Sequence, residues 1–131
     1  MGSPVAKQVD RDGTKLPVLV CRGSDCRGDA QERLCESLCA AGVEVLITGC
    51  LGVCKGPVAV IPVGDRWEVV AKVRGKDARR RLLEAITRQR QKVVKSRTVR
   101  GSRRRKAIAK GAGKLARRPG PHARRVAASL R

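Results

Sequence analysis

Apolar and polar positions along the first two thirds of the chain alternate between strand-like and helix-like periods. Val18-Leu19-Val20 is a short β-branched run that reads as a buried strand with Cys21 at its carboxyl end, followed by turn chemistry over Arg22-Gly23-Ser24-Asp25. From Asp29 to Ala41 the residues Ala30, Leu34, Leu38 and Ala41 recur at helical spacing, with Glu32 and Glu36 on the other side. Asp29 is the candidate N-cap and Gly42 the stop. Val43 to Ile47 predicts a second strand, and Thr48 to Pro57 a loop. Val58-Ala59-Val60-Ile61 and Trp67 to Val73 predict two more strands, joined through a Gly64-Asp65 turn. Gly75 to Ile86 predicts a helix with Ala78, Leu82, Ala85 and Ile86 on one stripe. The order β-α-β-β-β-α predicts an α/β fold, a small sheet flanked by helices, whose first crossover is long enough to set the first two strands parallel.

Charge changes this picture at the carboxyl end. Residues up to Ile86 hold 14 Lys/Arg against 11 Asp/Glu, a net of +3, whereas Thr87 to Arg131 holds 17 Lys/Arg and no acid, so +17 of the +20 total lies there. The chain accordingly divides into a polar lead (1–16), a folded domain (17–86) and an Arg/Lys/Ala-rich tail (87–131). High charge with few large apolar groups predicts disorder in the tail, with a fraying helical start beyond Ile86 and with His122 as a solvated residue. Arg103-Arg104-Arg105-Lys106, Arg117-Arg118 and Arg124-Arg125, with no aromatic among them, predict salt-sensitive, non-specific binding of nucleic acid through residues 87–131, or steering toward an acidic partner.

A domain of roughly 80 residues buries only about 60% of its unfolded surface, and this one has Trp67 but no Phe or Tyr, so a cross-link or metal would add stability. Lys7, Asp10, Arg11, Asp12 and Lys15 interrupt any apolar run before Leu16, and no stretch approaches the ~20 apolar residues of a membrane span. A cytoplasmic protein that does not enter a membrane is expected. In that reducing compartment clustered thiols favour metal over disulfides.

Four of the six cysteines are clustered, as Cys21-x4-Cys26 and as Cys50-x3-Cys54 within Gly49-Cys50-Leu51-Gly52-Val53-Cys54. Four thiolates can hold zinc or an iron-sulfur centre. Zinc knuckles favour C-x2-C, plant-type ferredoxins continue C-x4-C-x2-C where this chain has Asp29, and a redox dithiol needs C-x-x-C, which is absent. Gly23, Gly49, Gly52 and Gly56 let backbone approach the sulfurs and aim amides at them.

Val18 to Gly28, followed by Thr48 to Pro57 and a strand leading to Trp67, resembles the thioredoxin-like [2Fe-2S] ferredoxin family over roughly residues 17–86. The resemblance implies a small thioredoxin-like sheet flanked by helices. It also implies a [2Fe-2S] cluster held near one surface, with Cys21 and Cys26 as ligands from the first loop and Cys50 and Cys54 from the second. It further implies exchange of one electron with a redox partner protein, and it allows a homodimer. Glu68 after the tryptophan, and Pro62-Val63-Gly64-Asp65 in place of a Pro-Asp-Gly turn, depart from the family away from those ligands.

Arg22, Arg27 and Lys55 each follow an implied ligand. A cluster of about −2 formal charge that becomes about −3 on reduction is expected to be favoured in its reduced state by such cations. Cys35 and Cys39 lie four apart at the border of the first helix's apolar stripe and read as small hydrophobes. No nucleophile with an adjacent base, phosphate-cradling loop or carboxylate pair stands out, so an electron carrier rather than an enzyme is expected. The alternatives are a zinc-stabilised nucleic-acid-binding module using the basic tail, and a cluster-bearing redox regulator.

Overall fold

Up to Ile86 strands and helices fall close to where the hydrophobic periods place them, in a computed structural model that describes residues 16–21, 28–49, 51–52, 56–64, 66–90, 94–95 and 97–130. Strand β1 (Val18–Cys21), helix α1 (Asp29–Ala40), β2 (Val45–Thr48), β3 (Ala59–Val63), β4 (Arg66–Val70) and α2 (Lys76–Arg88) reproduce the β-α-β-β-β-α order. They are followed by β5 (Thr98–Val99), α3 (Gly101–Ala116) and α4 (Pro121–Leu130). The five strands make one mixed sheet in the order β2-β1-β3-β4-β5, with β1 and β2 parallel and the other pairs antiparallel.

Several element ends differ from expectation by one to three residues, the largest at β4, which stops at Val70 rather than Val73. The N-cap of α1 is Gly28 rather than Asp29, which instead opens the first turn, where a carboxylate favours the helix dipole. Gly42 follows α1 at φ +78° and donates its N–H to the Cys39 carbonyl at 3.0 Å, stopping the helix where expected. In the two-residue connection between β3 and β4, Gly64 takes φ +64°, the left-handed geometry a tight hairpin demands. Gln89, just past α2, fastens that turn by accepting from Gly64 N at 2.6 Å and donating to the Pro62 carbonyl at 3.1 Å. At the other end of α2, Asp77 accepts a 2.7 Å hydrogen bond from Arg80, which holds its carboxyl below the ordinary carboxylate range. That contribution exists at neutral pH and fades only as acid protonates Asp77.

Side chains alternate across the strands into two cores. Val18 and Val20 face Leu34, Leu38, Leu82 and Ile86 of α1 and α2. Leu19, Val60, Trp67 and Val69 face the opposite way, onto Ala107, Ala112 and Leu115 of α3 and Val126, Ala127 and Leu130 of α4. The sheet is therefore the middle of three layers, helices on both faces, and this explains strands buried along nearly their whole length.

The expectation of a disordered tail over residues 87–131 is corrected here: its described residues hold the end of α2, then β5, α3 and α4, and α3 with α4 forms the third layer. The small side chains of Ala107, Gly111, Ala112, Ala123 and Ala127 are buried beside Leu115, Val126 and Leu130, so closely packed aliphatic contact replaces the large residues the segment lacks. Polar contacts add to it. Arg104 donates to the Trp67 carbonyl (2.8 Å), Trp67 Nε1 to Ser129 Oγ (3.2 Å) and Arg118 to the Ile47 carbonyl. His122, expected to be solvated, sits 2.8 Å from Glu44 through its Nε2. Among the described residues no helix is long and apolar enough to cross a membrane.

Candidate metal centre

Cys21 is the last residue of β1, and the parallel register pairs it with Thr48, the last residue of β2. The two loops that carry the cysteines thus leave adjacent strands at the same end of the sheet. The segment returning into β3 arrives there too, because Ala59 pairs antiparallel with Val20 and Cys21 N donates to the Val58 carbonyl at 3.0 Å. That return passes through a cis Gly56–Pro57 peptide bond. Topology alone starts the two halves of the sequence motif from the same end of the sheet.

Of the four implied ligands, Cys21 is fully buried, in the cluster that also contains Leu51 and Val58 from the second loop. Cys26, Cys50 and Cys54 lie outside the described residues, as do Gly23, Arg22, Arg27 and Lys55. Thr48, 2% exposed, donates its hydroxyl to the Gly49 carbonyl at 3.0 Å and so anchors the start of the second loop. Among the described residues no three of His, Cys, Asp and Glu come together as a metal-holding group. Cys39 is exposed on α1, and Cys35 is half-buried against the α1–α2 core, its Sγ accepting from Gln31 at 3.4 Å. Cys35 thus packs beside the core as a small hydrophobe would, whereas Cys39 does not.

Two cations that the sequence reading did not associate with the motif stand over this loop. A Cβ placed on Gly49 would lie 2.7 Å from Lys114 Nζ, and one placed on Gly52 would lie 3.0 Å from Lys110 Nζ. Between these contacts, Leu51 packs on Gly111 of α3, its Cδ2 lying 3.5 Å from the position a Cβ there would take. One turn of α3 therefore lies along Gly49, Leu51 and Gly52, with Lys110 and Lys114, four apart, on the same helix face. Glycine at both positions leaves room for the lysine side chains. Among the described residues neither ammonium has a carboxylate partner.

The arrangement has a clear electrostatic consequence. An anionic centre built from thiolates at this end of the sheet would meet two ammonium groups carried by a helix, while the sulfur of Cys21 is shielded from water. Loss of solvent raises the weight of each nearby charge. The described part of the site, one buried thiol at the sheet end with two ammonium groups over the second loop, is compatible in charge with a thiolate-held, negatively charged group. Comparison with protein-family models, with curated proteins and with solved structures gives no match.

Proposed function

We propose that the chain is a [2Fe-2S] electron carrier of the thioredoxin-like ferredoxin type, which exchanges single electrons with a redox partner protein. The observation that carries this reading is the parallel pairing of Cys21 with Thr48, which starts both cysteine loops from one end of the sheet, where the lysines of α3 overlie Gly49 and Gly52. Cys21, Cys26, Cys50 and Cys54 would hold the cluster, which supplies a one-electron couple when bound.

The chain's own residues do the remaining work. Leu51, Val58 and the buried faces of α3 and α4 exclude water from the Cys21 side. Lys110 and Lys114 favour the more negative, reduced state and leave a basic rim that suits an acidic partner. Anaerobically purified protein is expected to be red-brown, with about two iron and two acid-labile sulfide per chain. Cys21→Ser is expected to lose most of both. Colourless protein carrying zinc and no sulfide would refute the carrier and establish the zinc-stabilised module instead.

One observation favours a second reading, a cluster-bearing regulator. The helix whose lysines overlie the cysteine loop also exposes Arg103, Arg105 and Lys106 to solvent. A change at the loop could then alter a polyanion-binding surface, and duplex DNA affinity measured with and without the cluster tests it. Equal affinities leave the carrier reading alone.

A further inference from the structure

On the far end of the α3 layer, two clefts of about 410 Å³ and about 460 Å³ meet along Arg66, Arg104 and Arg105, which line both. The first is walled by Trp67, Ile108 and Leu130. The second is completed by Arg100 and Glu68. Among the described residues four guanidinium groups thus face one carboxylate, and that carboxylate is buried, 4% exposed, with Arg66 Nε 3.9 Å away. Arg104 spends one Nη on the Trp67 carbonyl, while its buried Nε has no acceptor among the described residues.

We infer that these joined clefts bind a free nucleotide, its phosphates among Arg66, Arg100, Arg104 and Arg105 and its ring against the apolar wall of Trp67, Ile108 and Leu130. Arginine presents planar paired donors that match phosphate oxygens, and the excess of positive charge selects an anion. The apolar compartment selects an anion that carries a ring rather than inorganic phosphate. Each cleft is of the size that encloses small ligands, whereas a nucleic-acid backbone or an acidic protein would be met by the exposed outer face of the helices. No described residue of the cysteine loops lines either cleft, so the inference does not rest on what those loops hold.

The test is calorimetric titration of the full chain with ADP, pyrophosphate and adenosine at physiological salt. ADP is expected to bind saturably with one site per chain, and pyrophosphate and adenosine each at least tenfold more weakly. Arg66→Gln, whose side chain is 65% exposed, and Arg105→Gln are each expected to weaken ADP at least fivefold without disturbing the fold. Arg103→Gln, on the same helix but lining neither cleft, is expected to leave ADP affinity unchanged. Absence of ADP binding overturns the inference. So does equal weakening by Arg103→Gln, or pyrophosphate binding as tightly as ADP, because either would mean that net charge alone draws the anion. Single-stranded oligonucleotide that binds tightly and displaces ADP would replace the free nucleotide with a strand as the occupant.

Discussion

Leu115→Ala is expected to destabilise the entire domain by about 2–5 kcal/mol, the range for emptying a fully buried leucine site. Leu115 is fully buried in the core that joins α3 and α4 to β1, β3 and β4, so the cavity would open beneath the sheet and not in an independent appendage. Urea unfolding followed by fluorescence reads this directly, because Trp67 is the only tryptophan and its indole is bonded to Ser129 of α4. A leftward shift of the whole transition with an unchanged slope is the expected result. If residues 101–130 were a solvated tail, the substitution would leave the midpoint where it was. Ending the chain after Arg100 should have a larger effect, since it uncovers Leu19, Leu51, Val60 and Val69 together and leaves an apolar sheet face prone to association.

The contrast between the first 86 residues and the rest shows what a sequence pattern reveals. Val18, Val20, Leu34, Leu38, Leu82 and Ile86 are large, periodic and buried, so their elements could be placed within a residue or two and one whole core was legible. The third layer was hidden because its buried positions are mostly alanine and glycine, spaced among arginines and lysines that dominate any average. Even so, Ala123, Val126, Ala127 and Leu130 keep the i, i+3, i+4, i+7 rhythm of an amphipathic helix, and Ala107, Gly111 and Leu115 recur every fourth residue.

A second signal lay in the strands themselves. Val18 to Cys21 and Val58 to Ile61 are apolar without alternation, which requires cover on both faces, and α1 with α2 supplies only one. Small residues suffice for the other because they bring a helix close to the sheet, and the long stems of Lys110 and Lys114 then pass over the glycines of the second loop. The cysteine spacing located the candidate site. Its cationic surroundings were illegible there, since Lys110 and Lys114 are about 60 residues distant in sequence and owe their place to the packing of Gly111 on Leu51.

Lys110→Glu combined with Lys114→Glu is expected to lower the reduction potential of the cluster-loaded protein by tens of millivolts at low ionic strength, and by less in high salt. The sign follows from charge alone. Reduction adds one negative charge at the cysteine loops, a neighbouring ammonium stabilises that added charge, and a carboxylate in the same place opposes it. Replacing both lysines with glutamine should give about half the shift, since neutralisation removes attraction without adding repulsion. The control is Lys76→Glu with Arg79→Glu, which makes the same change in net charge from α2, on the other side of the sheet. If both pairs move the potential equally, the effect belongs to the overall field of a basic protein and α3 has no special place in it. If only the α3 pair moves it while the unfolding midpoint of Trp67 fluorescence stays near the parent's, the basic carboxyl-terminal segment acts as an electrostatic cover for the cysteine loops. Its charge would then be explained by what lies beneath the helix as well as by what meets its outer face.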